Sequence, residues 1–441
     1  MTRAADKLSG YLTRVPGVFR AARGSKITRN AGSLLAGDVF GIAAQLVMFI
    51  LVTNTFEKEV YGTFAGVVAL ALFISPFSSF GAGYLVVQRV VGRGEALGPA
   101  IVRAWITVTA GAVLFAAVLL VLRGIVLPQT TAVLLLEILC AELFFNQLVQ
   151  ANRFIAQATG KLWMTPVVTF STGVMRVLFA VWYLQIRSNP TIEGWGVFYM
   201  LSVAVGAVTG MAIIWSMSRD QIRAMFPSRR DLGEGLQFSI NVSSAMLKGD
   251  ADKWLLLRFN EASANGIYAA GYRILGIAMA PNAALGDATY ARFFAASGPK
   301  EAIALAKRLS AFAMAFNGVS ACVTLLAASF ITGLLGDSYA EAATVMRWIA
   351  FMPLLSALQL FAGNALSGIG HHRTRLYQMM SSAALNIVLN LALIPSLSWK
   401  GSAIATNITE VYLVVLHWRT LWRLASRDEP PAATTAAVTA T

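Results

Sequence analysis

Long, nearly uninterrupted apolar runs restrict what this chain can fold into more than any other feature. A helix that crosses a bilayer needs roughly 20 mostly apolar residues, because the hydrocarbon layer is about 30 Å thick and a helix rises about 1.5 Å per residue. Hydrophobic residues make up 57% of the 441 residues and charged residues only 13%, which is more apolar surface than a soluble core can bury. We therefore predict an all-α integral membrane protein.

About twelve runs have the length and composition of spanning helices. They lie at residues 32–55, 61–84, 100–122, 130–151, 162–184, 195–217, 235–257, 266–290, 304–331, 341–366, 374–394 and 401–423. The connections are short, so we expect no inserted soluble domain. The basic segment before the first run lacks the apolar stretch of a cleavable signal peptide, so the first run is expected to direct insertion itself.

Lysine and arginine are distributed unevenly between alternate connections. The set that includes both termini carries 25 of them, whereas the other set carries five: Lys58, Arg123, Arg187, Arg258 and Lys400. The positive-inside bias places the rich set, with both termini, in the cytoplasm. The net charge of +14 is therefore interpreted as a topology signal rather than as a nucleic-acid-binding surface.

The second half of the chain repeats features of the first at a spacing of about 205 residues. Gly62 and Pro76 of the second run correspond to Gly266 and Pro281 of the eighth. Six runs separate the two copies, and six is an even number, so both copies cross the membrane in the same direction. This pattern predicts two parallel six-helix lobes around a central cavity.

The predicted division of the chain has five parts. They are a basic cytoplasmic segment 1–31, an N-terminal lobe 32–217, a polar cytoplasmic linker 218–234, a C-terminal lobe 235–423 and a tail 424–441. The first segment is expected to be either a short amphipathic helix on the inner leaflet or a disordered basic tail. The last is expected to be disordered, because its composition cannot bury a core.

Ionisable residues inside apolar runs are costly unless they are paired or hydrated, so they are candidate site residues. The basic ones are Arg176, Lys248, Lys253, Arg273 and Arg347. The three arginines have no acidic neighbour in their own runs, so we expect them to line the cavity between the lobes. Guanidinium groups bind phosphate bidentately, so the expected ligand is a phosphate-bearing anion.

Acidic residues in the runs are candidates for coupling transport to H+ or Na+. They are Asp38, Glu137, Glu142, Asp252 and Glu410. The seventh run could also neutralise itself, because Lys248 with Asp252 and Asp250 with Lys253 have the spacing of helical ion pairs. Whether these charges pair with each other or bind substrate stays open at this stage.

Motifs for enzymatic chemistry are lacking in the sequence. It contains no P-loop, no dinucleotide fingerprint and no cluster of histidine with carboxylates, so we predict neither an enzyme nor a cofactor. His371 and His372 are adjacent and have no acidic or cysteine companion, which disfavours a metal site. Cys140 and Cys322 lie inside apolar runs and are not expected to form a disulfide.

Three stretches resemble the Wzx-type oligosaccharide flippases, the bacterial polysaccharide translocases of the superfamily that also contains multidrug extruders and lipid II flippases. The stretches are NAGSLLAGDVFGIAAQ, YGTFAGVVALALFISPFSSFGAG and GDADKWLLLRFNEASANGIYAAGYRILGIAMAP. The resemblance implies a multi-pass protein of the bacterial inner membrane that moves a polyprenyl-diphosphate-linked oligosaccharide to the outer leaflet by alternating access. Implied partners are this glycan, membrane lipid, a polysaccharide polymerase and glycosyltransferases.

The resemblance also assigns residues. The acidic–basic pair of the family falls on Asp252 and Lys253, and its G-x-Y-x-x-x-Y/F-R pattern ends at Arg273. Two alternatives stay open, namely a cation-coupled multidrug extruder of the same fold and a non-transporting membrane scaffold of envelope assembly. The excess of arginine speaks against the first, because cationic drugs favour acidic or aromatic cavities.

Overall fold

The computed structural model describes residues 26–219, 225–259, 261–296 and 298–426, and within them the chain forms sixteen α-helices and no strand. The helices are α1 Lys26–Thr55, α2 Lys58–Ser79, α3 Ala82–Arg93, α4 Leu97–Val121, α5 Arg123–Val126, α6 Ala132–Leu139, α7 Asn146–Ala158, α8 Met164–Ala180, α9 Ile192–Ser218, α10 Arg229–Arg258, α11 Ala262–Phe294, α12 Pro299–Gly333, α13 Ala342–Trp348, α14 Met352–Gly368, α15 His372–Leu397 and α16 Trp399–Ser426. The predictions made for residues 1–25 and 427–441 lie outside the described residues.

Most of these helices can cross a membrane. Eight described stretches are long and apolar enough to do so, and a ninth is added if α13 and α14, bent by 46°, form one broken span. Pro353 sits in the first turn of α14, where a helix tolerates proline. Three further helices, α10, α11 and α16, contain 30, 33 and 28 residues but are less apolar. The all-α multi-pass fold is confirmed, and the described helices are consistent with twelve spans.

The two ends of the bundle differ in charge. Because successive spans alternate in direction, α1 begins and α16 ends at the same end, which we call the basic end; Arg89, Arg153 and Arg230 lie there. The other end, reached by Thr55 and Lys58, is called the opposite end.

The apolar core is shared by both halves of the chain at the opposite end and divided at the basic end. The largest cluster joins residues of the first half, such as Phe49, to residues of the second, such as Tyr268. Near the basic end, one cluster around Ile101 belongs to the first half, and another around Phe361 belongs to the second. The two lobes are therefore packed together at one end and separate into two cores at the other.

Two glycines related by the internal repeat close the opposite end. A Cβ atom at Gly62 would collide with the carbonyl oxygen of Ala262, and one at Gly266 would collide with the carbonyl oxygen of Lys58. Only residues without a side chain allow α2 and α11 to approach so closely. The repeat thus places its matching glycines where the two lobes meet.

Hydrogen bonds between the lobes reinforce this closure. The Asn265 side-chain amide donates to the Gly62 carbonyl oxygen at 2.7 Å, and the Tyr339 hydroxyl donates to the Phe56 carbonyl oxygen at 2.9 Å. Asn265, Tyr339 and Phe56 are all buried. Because both donors lie in the second half and both acceptors in the first, the opposite end is closed by polar as well as apolar contacts.

A buried ionic cluster joins the lobes at the basic end. Asp231, at the start of α10, forms ion pairs with Arg89 of α3 and with Arg103 of α4, the latter at 3.5 Å. Its carboxylate also accepts from the Ser228 backbone N–H at 2.9 Å in a capping box. This cap starts α10 at Arg229, inside the range predicted for the linker, while residues 220–224 lie outside the described part of the chain.

Replacing Asp231 with Asn should destabilise the protein strongly. The change removes the buried one of the two carboxylates that pair with Arg89 and Arg103, and leaves only the more exposed Glu95. Breaking a buried ion pair from one side costs about 3–5 kcal/mol. The midpoint of thermal unfolding in detergent measures the effect. Glu234→Gln is the matched control, because Glu234 pairs with Arg93 and Arg230 nearer the surface; equal losses in the two variants would contradict the assigned role of Asp231.

Replacing Gly266 with Val should open the opposite end. The added side chain cannot fit against α2, and overpacking of this kind costs roughly 1–3 kcal/mol. We expect a cysteine introduced as Ala65→Cys, with Cys140 and Cys322 changed to Ser, to react roughly tenfold faster with an impermeant thiol reagent added at that end. A lower thermal stability with unchanged labelling would show that the closure is not a moving contact.

Candidate functional site

One continuous cavity runs between the lobes. Its outer part, which we call the vestibule, has a volume of about 770 Å³ and lies at the basic end between α1, α7, α8 and α11. Its inner part, the chamber, has a volume of about 320 Å³ and lies between α1, α2, α10 and α11. Ile42, Gln45, Ile277 and Ala280 line both parts, so they connect. The closed opposite end makes the cavity accessible from the basic end.

Arg273 is the principal cation of the chamber. It lies on α11, is half-buried, and its guanidinium carbon is 5.8 Å from the centre of the Phe49 ring on α1. No carboxylate among the described residues forms an ion pair with it. Its charge is therefore available to an anion that enters the chamber.

Lys253 also lines the chamber, but its ammonium group is already paired. Nζ lies 2.9 Å from Asp250, 3.5 Å from Asp252 and 3.7 Å from the centre of the Tyr272 ring. Asp252 is fully buried and accepts a hydrogen bond from the Tyr268 hydroxyl at 2.6 Å. The predicted pairing of Asp250 with Lys253 thus exists, and this pair contributes a dipole rather than a net charge.

Arg176 is the main cation at the inner end of the vestibule. Its guanidinium carbon lies 4.9 Å from the centre of the Tyr199 ring. The Tyr199 hydroxyl donates to Glu142 at 2.5 Å, and the Asn146 amide donates to the other oxygen of Glu142 at 2.7 Å. Glu142 lies in a π-helical turn, Cys140–Phe145, between α6 and α7, and such turns are common at functional sites. Tyr199 therefore contacts both the Glu142 carboxylate, through its hydroxyl, and the Arg176 guanidinium group, through its ring.

The mouth of the vestibule carries two carboxylates and one guanidinium group. Asp38 of α1 and Asp287 of α11 line it, and Arg153 of α7 lies 3.9 Å from Asp38. Both Asp38 and Asp287 are exposed. Since Arg176 and Arg273 lie deeper and form no ion pair with any described carboxylate, positive potential increases from the mouth inward.

Two predicted cavity residues lie elsewhere. Arg347 is exposed on α13, where it donates to the Ser329 hydroxyl at 2.8 Å and to the Leu325 carbonyl oxygen. Of the three arginines expected to line the cavity, Arg176 and Arg273 do so and Arg347 does not. Lys248 pairs with Glu410 of α16 at 2.7 Å, not with Asp252. The Lys248–Glu410 pair neutralises itself inside the C-terminal lobe and lines neither the vestibule nor the chamber.

Glu137 occupies a different environment from the other acidic residues. It is buried on α6 close to Gly196 of α9, and its Oε2 atom has no hydrogen-bond partner among the described residues. It does not line the cavity.

Uncharged polar residues of the site were missed by sequence reasoning. Gln45 lines both parts of the cavity, Tyr61 lines the chamber, and Tyr199 connects Arg176 with Glu142. Their amide and phenol groups inside apolar runs could have indicated a polar cavity. The sequence analysis considered only charged residues as candidates for the site.

Comparisons with known proteins identify the fold and the family. No curated protein sequence matches the chain. Among solved structures, an inward-facing multidrug resistance transporter of the MATE family, in the MOP superfamily, has a TM-score of 0.73 at 13% identity and covers 90% of this chain and 100% of its own. An outward-facing transporter of that family has a TM-score of 0.62 at 13% identity, covering 91% and 96%.

A further solved structure, a MOP superfamily transporter from Pyrococcus furiosus described by the reverse polarity of its binding pocket, has a TM-score of 0.62 at 13% identity and covers 90% of this chain and 96% of its own. These likenesses show a shared transporter fold. A family model described as "Polysaccharide biosynthesis protein" matches residues 27–293, which confirms the resemblance to the Wzx-type flippases. The chain is therefore a multi-pass membrane transporter that belongs to the polysaccharide biosynthesis protein family.

Proposed function

We propose that this transporter is a flippase that moves a polyprenyl-diphosphate-linked oligosaccharide from the inner to the outer leaflet of the bacterial inner membrane. The observation that carries the proposal is the position of Arg176 and Arg273, two guanidinium groups without ion-pair partners in the described residues, along a cavity between the lobes whose opposite end is closed by packed contacts. The family description, polysaccharide biosynthesis, supports a glycan substrate.

The orientation follows from the distribution of charge. The basic end carries most of the lysine and arginine residues, and the positive-inside bias assigns such an end to the cytoplasm. Both termini then lie in the cytoplasm, and the vestibule admits ligands made there. A lipid-linked glycan is a ligand of this kind, because its sugar and diphosphate are polar while its polyprenyl tail remains in the bilayer.

The cavity suits each part of such a ligand. The diphosphate would lie between Arg176 and Arg273, which can each bind phosphate oxygens bidentately. Amide groups of Gln45, Asn146 and Gln150 line the same space and can form hydrogen bonds with sugar hydroxyls. In the described residues α1 packs mainly on α8, whereas α11 packs on α2 and α14, so the seam between α1 and α11 offers a route for the tail.

Alternating access supplies the transport step in this proposal. The lobes would rock so that the packed contacts at the opposite end open while the vestibule closes. The glycines at the α2–α11 crossing and the hydrogen bond from Asn265 to Gly62 would be among the contacts that separate.

A multidrug extruder with the same fold is supported less well. The structural neighbours include multidrug transporters, and aromatic rings such as Phe49, Phe64 and Tyr272 line the chamber. However, Arg273 lies in the same chamber without a carboxylate partner in the described residues and would repel a cationic drug. The Pyrococcus furiosus protein is described as having a binding pocket of reverse polarity that suggests a different function. This description supports the use of pocket charge to distinguish a glycan flippase from a drug extruder.

Replacing Arg273 or Arg176 with Gln should strongly reduce flipping of the lipid-linked glycan while the protein stays in the membrane. Each charge-assisted contact is worth about 1.5–3 kcal/mol, so we expect roughly a tenfold or greater loss of substrate affinity per residue. Transport into proteoliposomes and display of surface polysaccharide in cells measure the effect.

Arg347→Gln is the matched control for these variants, because it removes the same charge from a span but outside the cavity. It should leave transport close to the original rate. Normal transport in the Arg273 variant, or equal losses in all three variants, would refute the assigned role of the cavity arginines.

We further propose that Glu142 couples transport to protons. Its contact with Tyr199, whose ring lies beside Arg176, links its charge to the anion site. Glu142→Gln, which mimics the protonated state, should retain substrate binding but lose the response of transport to an imposed pH gradient. Asp38→Asn removes a carboxylate at the exposed mouth and should keep that response. The reverse result would assign coupling to Asp38, and an unchanged response in both variants would exclude both residues.

A further inference from the structure

A second large cavity lies at the basic end, on the other side of α10 from the vestibule. It has a volume of about 770 Å³ and is bounded by α3, α10, α14 and α15, with Tyr290 of α11 at its edge. None of its lining residues also lines the vestibule or the chamber. We call it the lateral pocket.

The internal repeat explains why this pocket exists. The repeat relates α1 to α10, α7 to α14, α8 to α15, and α11 to the pair α2 and α3. The vestibule is bounded by α1, α7, α8 and α11, and the lateral pocket by the matching set. The two cavities therefore occupy equivalent positions in the two lobes, but their side chains differ.

The end of the lateral pocket nearest the basic end has an excess of positive charge. Arg373 and Arg375 line it, and Arg375 donates to the Ser367 hydroxyl at 2.9 Å. Neither guanidinium forms an ion pair with a carboxylate in the described part of the chain. The acidic residue that lines the pocket, Glu234, is engaged by Arg93 at 3.2 Å and by Arg230 at 2.8 Å.

The first turn of α15 adds to this positive end. The helix begins at His372 and has no side-chain cap on its N-terminal amides, so its dipole adds positive potential beside Arg373 and Arg375. Gly363 leaves space for Arg375, because a Cβ atom there would lie 3.0 Å from Nε of that arginine.

Deeper in the bundle the same pocket is apolar. Both α10 and α15 run inward from the basic end, so residues later in each helix lie deeper. Phe238, Val242 and Met246 of α10 recur at intervals of four on one face, and Leu376 and Met379 of α15 face the same space. Polarity thus changes from cationic to apolar along the direction in which a phospholipid changes from headgroup to acyl chain.

We infer that the lateral pocket binds an anionic phospholipid of the leaflet at the basic end. The phosphate would accept hydrogen bonds from Arg373 and Arg375, and an acyl chain would lie against Val242, Met246 and Met379. The apolar half favours a lipid over a soluble phosphate, which would leave that surface uncovered. Because Tyr84 and Gln88 of α3 line the same space, the bound lipid contacts both lobes. The inference does not depend on the proposed transport substrate.

Native mass spectrometry of the full chain in detergent tests this inference. The protein is titrated with phosphatidylglycerol, with phosphatidylcholine and with inorganic phosphate. In the double variant Arg373→Gln/Arg375→Gln we expect binding of the first phosphatidylglycerol to weaken by about tenfold or more, since each lost charge-assisted contact is worth at least a factor of that order. Phosphatidylcholine has the same phosphate but offsets its charge with its own ammonium group, so it should bind more weakly to the unchanged protein and lose less affinity in the variant.

The matched control is Arg419→Gln/Arg423→Gln, which removes two exposed charges from the same end of the bundle, on α16. Equal weakening of phosphatidylglycerol binding in both double variants would show that general surface charge causes the effect, and would overturn the inference. Arginine-dependent binding of inorganic phosphate without arginine-dependent binding of phosphatidylglycerol would also overturn it. If the double variant unfolds, Arg373→Gln alone serves, because Arg373 is exposed and its change leaves the packing intact.

Discussion

The cost of placing charge in a hydrocarbon layer governs how this bundle is built. The strongly apolar helices can face lipid, whereas α10, α11 and α16 carry most of the charged groups and meet one another or the cavity. Asp252 and Glu410 are almost completely buried, and each has a lysine partner. Arg176 and Arg273 differ because they line the cavity, where an anion can reach them.

Packing determines where that cavity can form. A shared apolar core holds the lobes together at the opposite end, and separate cores leave a space between them at the basic end. The internal repeat generates two such spaces, the vestibule and the lateral pocket, on either side of the α2–α10 contact. The side chains give the two spaces different chemistry: Arg176 lies deep in the vestibule, whereas the lateral pocket changes from cationic to apolar along its length.

The sequence was informative where a property depends on periodicity within one segment. Apolar runs predicted the helices, and the spacing of Asp250 and Lys253 predicted their ion pair. Contacts between segments were harder, because the face on which a side chain lies changes by about 100° per residue and the register of neighbouring helices is unknown. For this reason the sequence did not predict the ion pair between Lys248 and Glu410 of α16, or the position of Arg347 outside the cavity. The contacts of Tyr199 with Glu142 and Arg176 could not be predicted either, because the three residues lie in three different segments.

The Asp231 side chain both caps the start of α10 and forms ion pairs with the other lobe. One carboxylate oxygen accepts from the Ser228 backbone N–H and so helps to start α10, while the same side chain holds Arg89 and Arg103 of the other lobe. Any movement that withdraws those arginines leaves a buried carboxylate whose remaining partners are the amides of a single helical turn. Folding of the first turn of α10 is therefore thermodynamically linked to the relative position of the two lobes, and amide hydrogen exchange at that turn would follow the conformational cycle directly.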